Sequence, residues 1–168
     1  IFFVDQFNGQ IFLTGAKGLV PINTGLRNYF KENLVLFLAE QYYNLTSTQF
    51  PNKDNHANPN GIGFHSVYDY RHKRIILTKR DYQILSAYTT DFIKVASSSG
   101  TITGIVANQL FFDTTTKKFG IGTGVNTFNY VDLSNATYFE NKSWTLSYSF
   151  LSQSWISFHS YIPLYMYS

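Results

Sequence analysis

The sequence predicts a mainly β protein, built from repeated hairpins in a propeller-like array with one inserted α-helix, and three observations carry that expectation. Aromatic residues make up 18% of the 168-residue chain, with 16 Phe and 13 Tyr against a single Met, and flat rings pack well across the pleated surface of strands. Four segments repeat a pattern in which apolar residues meet Asp or Ser and an apolar residue returns six positions later. Only one stretch, 25–43, carries a convincing helical periodicity.

The first segment, FFVDQFNGQIFLT, places Asp5 ahead of Ile11 and Leu13. A carboxylate or hydroxyl at the first turn position accepts a hydrogen bond from a backbone N–H two residues on, so such residues open turns. Alternation after the turn then sends Ile11 and Leu13 to one face of the sheet. The stretch GLRNYFKENLVLFLAEQYY follows and aligns Leu26, Phe30, Leu34, Phe37 and Leu38 on one helical face, with Asn23 or Thr24 as its cap. Its expected role is ordinary packing against a sheet. Residues 52–61, rich in Asn, Pro and Gly, are expected to form an exposed loop.

The second segment, VYDYRHKRIILT, repeats the pattern with Asp69, Ile75 and Leu77. After a Ser-rich loop at 97–100 the third, LFFDTTTKKFGIG, has Asp113, Phe119 and Ile121. The fourth, LSYSFLSQSWISF, has Ser149 and Trp155, with Ser157 in place of the second apolar residue. The anchors stand 64, 44 and 36 residues apart. Repeats of roughly 40 residues with several short strands point to propeller blades, and the inserted helix lengthens the first interval. Residues 1–168 are thus expected to form a single β-rich unit. Because the chain opens without Met, inside an apparent strand at 1–4, that unit is expected to be an incomplete part of a larger propeller-like domain.

The residues offer little for chemistry. Cysteine is absent, which excludes a disulfide framework, a thiolate metal site and a thiol nucleophile. The net charge of +3 is too small to make nucleic acid the default partner. No run approaches the roughly 18 apolar residues needed to span a bilayer, and no membrane partner is expected. Asp5, Asp69 and Asp113 recur at one turn-opening position, with Ser149 as the fourth member, so a structural role accounts for all of them better than catalysis or metal binding. Residues 52–61 lack the alternating oxygens and terminal Glu of a calcium loop. His65 and His159 sit in two Phe-His-Ser triplets without a third ligand at a metal-like spacing.

Gly120, Gly122 and Gly124 superficially resemble a phosphate loop, but no helix follows to aim its amides at an anion, so strand or bulge flexibility is the better account. There is no Gly-x-Ser-x-Gly elbow. No cofactor, no metal and no enzymatic activity are expected. The sequons at Asn44, Asn135 and Asn141 matter only in a secretory context. Arg71, Lys73 and Arg74, with Lys79 and Arg80 just beyond, are the one charge cluster. They are candidate interface or DNA-facing residues, weighed against a solvated hairpin edge that discourages stray strand pairing. Trp144 and Trp155 would offer a carbohydrate platform if exposed, and otherwise belong to a core or a chain-to-chain interface.

Three stretches, GLRNYFKENL (25–34), GFHSVYDYRHKRIILTKRDY (63–82) and YFENKSWTLSYSFLSQSWISFHSYIPLYMYS (138–168), in that order, resemble the muzzle and related tail proteins of crAss-like bacteriophages. The resemblance covers most of the chain, is weakest from 81 to 100, and carries no catalytic residue. It implies a portion of a large virion protein at the distal end of a short tail, around the channel through which DNA leaves. Its implied partners are other segments of the same polypeptide, other tail subunits and further copies of itself; the basic tip, read on its own charge, adds acidic protein or non-specific DNA as candidate contacts. The alternative from a different class is a carbohydrate-binding β-module that recognises host surface glycans.

Overall fold

Four hairpins stand where the turn-opening residues place them in the computed structural model, which describes residues 2–16, 18–41 and 61–162. Strands β1 (Phe2–Asp5), β2 (Gln10–Gly15) and β3 (Gly18–Pro21) form a three-stranded antiparallel sheet. Two helices follow among the described residues, α1 (Arg27–Asn33) and α2 (Phe37–Gln41). The second hairpin is β4 (Gly63–Asp69) and β5 (Arg74–Arg80), and β6 (Tyr82–Ile84) continues β5 just past Asp81. Strands β7 (Ile93–Val95), β8 (Leu110–Asp113), β9 (Lys118–Gly124) and β10 (Thr127–Val131) make a four-stranded sheet in which only the β7–β8 pair is parallel. The chain then returns through β11 (Phe139–Asn141), β12 (Trp144–Ser149) and β13 (Ser154–His159). The protein is therefore mainly β, with several antiparallel sheets.

The sheets are nested rather than strung out. Strand β12 pairs with β5 and β11 pairs with β6, so the chain between Ile84 and Phe139 is looped out from the end of one ribbon. The second and fourth hairpins consequently share a sheet, in the order β13-β12-β5-β4. Sequence spacing alone suggested one blade per repeat, and here two repeats interlock instead. The physical reason lies in burial: β5 from Ile75 onward and the whole of β12 are buried. Their backbone groups cannot turn to water and need a partner on both edges, which each supplies to the other. Among the described residues the sheets close into neither a barrel nor a propeller ring.

The predicted helical face is present but divided. Phe30 and Leu34 are buried in a first core with Ile11, Leu77, Trp144 and Leu146, whereas Leu38 belongs to a second core with Ile84, Phe112, Phe119 and Phe139. A straight helix could not serve both, and the helical hydrogen bonding stops between Asn33 and Phe37. Residues 42 and 43 of the predicted helix, residues 52–60 of the predicted loop and the sequon at Asn44 lie outside the described residues, and Gly61, the last residue of that loop, is buried rather than exposed. Asn23 does not cap α1, which has no side-chain cap. Its amide is buried against the first hairpin, accepting from the Ile11 amide at 2.8 Å and donating to the Gly9 carbonyl at 3.2 Å.

The first core is rich in aromatic rings as well as aliphatic side chains. The Phe30 ring meets Trp155 at 5.0 Å, Tyr29 at 5.7 Å and Trp144 at 6.3 Å between centroids, in tilted or edge-on arrangements that suit ring quadrupoles. Full burial of such a side chain is worth about 1.5–3 kcal/mol. In the other four-stranded sheet two glycines allow close approach. A Cβ on Gly120 would lie 2.2 Å from the Phe111 ring, and one on Gly122 would lie 1.9 Å from the Val106 carbonyl oxygen. The absent side chain at 122 lets the preceding loop close onto β9, where the Gly122 amide donates to the Gln109 carbonyl at 2.9 Å. These glycines serve strand packing.

Candidate functional site

The four turns share one geometry. Val4 pairs with Ile11, Tyr68 with Ile75, Phe112 with Phe119 and Tyr148 with Trp155, so in each hairpin the residue before the anchor faces the residue six after it. Asp5 Oδ1 accepts from the amides of Phe7 and Asn8 at 3.1 and 3.0 Å. Asp69 Oδ1 accepts from Arg71 and His72 at 3.1 and 3.2 Å. Asp113 Oδ1 accepts from the Thr115 amide at 2.9 Å, and Ser149 Oγ from the Ser152 amide at 3.2 Å. The residue four after each anchor, Gly9, Lys73, Lys117 or Gln153, has φ of 62°, 50°, 61° or 51°. That left-handed position closes the four-residue turn, and composition gave no sign of it because only one of the four is glycine.

Asp113 does more than open a turn. Its carboxylate also accepts from the Ser97 amide at 3.1 Å, the Thr116 hydroxyl at 2.7 Å and the Tyr130 hydroxyl at 2.8 Å. Burial alone would raise its pKa, but these donors together hold it well below the usual carboxylate range. The carboxylate thereby ties β8, β10 and the segment after β7 together.

The basic cluster divides into three groups. Arg71 and Lys73 are exposed at the turn. Arg74 and His72 are drawn onto Asp69, with Arg74 Nε at 2.9 Å and His72 Nδ1 at 2.8 Å from Oδ2. Burial pushes the Asp69 carboxyl up, yet the hydrogen bonds from Arg74 and His72 outweigh it and bring the group down to about 2. Lys79 and Arg80 are buried in the chain's own interior, which corrects the expectation that they face DNA or an interface. Alternation along β5 hid this, because both faces of the strand are covered.

Lys79 is part of a joint that composition did not reveal. Its ammonium group contacts the Val35 carbonyl, lies 2.9 Å from Asp81 Oδ2 and sits 4.6 Å from the centre of the Phe37 ring. Asp81 in turn accepts from the amides of Phe37 at 2.6 Å and Leu38 at 3.2 Å, at the start of α2. Burial is the larger influence on Asp81 and raises its pKa against the opposing charge of Lys79. Both side chains are closed off from solvent, and together they pin the segment before α2 to the end of β5.

The two histidine triplets fall on the outer strands of one sheet. His65 pairs with Thr78, His159 pairs with Thr145, and the Thr78 and Thr145 hydroxyls meet at 3.0 Å between them. Three strand spacings, about 14 Å, separate the imidazoles, so they do not converge. Among the described residues no group of three metal-ligating side chains gathers. Trp144 is buried and donates to the Asn33 carbonyl at 3.3 Å; Trp155 is half-buried and donates to the Ile22 carbonyl at 2.6 Å. Both indoles therefore serve the first core instead of standing as a flat exposed platform for sugar. Comparison with protein families, curated proteins and solved structures finds no match to this chain.

Proposed function

We propose that the chain is a structural component of a bacteriophage virion, placed at the distal part of a short tail around the DNA exit channel, like the muzzle and related tail proteins it resembles. The observation that supports this most directly is the recurrence of one hairpin in one register, with its polar anchors taken up by turn hydrogen bonds. Groups committed to shaping turns favour an architectural role over a catalytic one. Two four-stranded sheets have the strand count of propeller blades, in keeping with a propeller-like array completed by further polypeptide. The outer strands also invite completion: Leu19 and Val20 on β3, and Ile156 and Phe158 on β13, are exposed. Other segments of the same polypeptide, other tail subunits and further copies of the chain would cover them.

Quantitative mass spectrometry of gradient-purified virions tests the reading. Peptides of this chain in fixed proportion to the other tail proteins support it. Their absence from virions, with the chain recovered elsewhere in infected cells, overturns it.

A further inference from the structure

The turns of the second and fourth hairpins sit side by side. Arg74 faces Ser149 across the β5–β12 pair, and the Phe150 amide donates to the Lys73 carbonyl at 3.0 Å. Large apolar side chains stand out from both turns, Tyr70 at 75% exposure and Leu151 at 81%. Beside them lies a groove of about 400 Å³ between the first sheet and the β4–β5 hairpin, walled mainly by Phe2, Leu13, Tyr68, Ile75 and Phe150. Tyr68 links groove to tip, its ring packed edge-on against Tyr70 at 4.6 Å and Phe150 at 5.6 Å. The volume falls in the range that holds a small ligand or a few side chains.

The charge on this end is equally selective. Asp69 engages His72 and Arg74, which leaves Arg71 and Lys73 exposed; among the described residues no carboxylate pairs with either. Two cations thus stand on the same pair of turns as the exposed Tyr70 and Leu151, and ring and backbone contacts join those turns to Tyr68 and Phe150 of the groove wall. We propose that this end of the sheet docks an acidic segment of a neighbouring protein subunit, one apolar side chain seated in the groove and carboxylates against Arg71 and Lys73. The inference rests on the reading of the chain as one piece of a larger assembly, and it names the chemistry of the partner. A DNA backbone would use the two cations and leave the groove, Tyr70 and Leu151 against water. An acidic, apolar segment uses all of them, its carboxylates meeting the two cations and its apolar side chains the groove.

Fluorescence anisotropy of the whole 168-residue chain with labelled probes provides the test. The probes are an acidic peptide with Phe and Leu among Asp and Glu, the same peptide with Ser for Phe and Leu, and a short DNA duplex. The apolar acidic peptide should bind, and the Ser peptide should bind about tenfold more weakly. Arg71→Ser with Lys73→Ser should weaken binding about three- to tenfold, as loss of two surface charge contacts implies, and Tyr70→Ser with Leu151→Ser should weaken it comparably. Unchanged circular dichroism and melting in each variant separate lost docking from lost fold. The proposal is overturned if the apolar peptide does not bind, if the charge variants leave its affinity unchanged, or if the duplex binds more tightly. Virion composition is measured independently, so failure here leaves the architectural reading standing, while absence from virions removes that reading and not the measured docking chemistry.

Discussion

Lys79 and Asp81 form an ion pair of 2.9 Å with both side chains fully buried, at the point where β5 passes into β6 and α2 begins. Asp81 holds more than a charge: its backbone exchanges hydrogen bonds with the Ser143 hydroxyl at 3.0 and 3.1 Å, and its carbonyl accepts from the Lys142 amide at 2.9 Å. The pair therefore stands where the ribbon, the second helix and the return strands meet, between the two cores.

Removing one member leaves the other charge buried, so Asp81→Ala or Lys79→Met should each cost about 3–5 kcal/mol in urea denaturation. The double variant should cost less than the sum, with a coupling of at least about 1 kcal/mol. Strict additivity would show that the two do not act as a unit.

The left-handed turn positions predict a graded response. Lys73, Lys117 and Gln153 adopt positive φ without being glycine, so Lys73→Gly, Lys117→Gly and Gln153→Gly should each stabilise by up to about 1 kcal/mol. Gly9→Ala should do the opposite, because its Cβ would lie 2.5 Å from the Lys31 Cα. Gly122→Ala should also destabilise, by about 1–3 kcal/mol, through its clash with a backbone carbonyl. Thermal melting reads all five, and a neutral Gly122→Ala would contradict the described loop closure.

Acid should weaken the fold in a defined window. Folded Asp69 releases its proton at about 2 against an ordinary 3.8, and Asp5 and Asp113 are lowered too. Below pH 4 the unfolded chain then binds more protons than the folded one, so stability present above about 3.8 is lost as pH falls toward 2. Asp113→Asn should flatten this dependence and cost about 1–3 kcal/mol at neutral pH. A melting temperature that is constant from pH 5 to pH 2 would rule out this role for the turn carboxylates.

Exposed tips and open edges make a solution prediction. Arg71→Ser with Lys73→Ser should alter stability by no more than about 0.5 kcal/mol, since both side chains are exposed. Adding Arg74→Ser should cost more, because it strips Asp69 of its 2.9 Å partner. The chain on its own should be oligomeric or aggregate through uncovered strands such as β3 and β13. A stable, monodisperse monomer in light scattering would count heavily against the reading as a piece of an assembly.

Local chemistry made the hairpins legible. Asp5, Asp69, Asp113 and Ser149 bond to amides only two or three residues away, so adjacent sequence suffices to find them. The β5–β12 pairing joins Thr78 to Thr145 across a long stretch of chain, and nothing local encodes it. The helical face was also visible, but its division between two cores depends on Asp81 meeting Phe37 and Leu38. Lys79 and Arg80 were misread for the same reason. Charged residues usually face water, and only tertiary partners overrule that tendency here. At the tip, sequence showed the cluster of cations, while the structure shows which of them Asp69 engages.

Electron microscopy of intact particles, labelled with gold-conjugated antibody against the chain, tests its proposed place in a tail. Gold should lie at the distal end of a short tail. Labelling confined to capsids, or none on intact or disrupted particles, would contradict it.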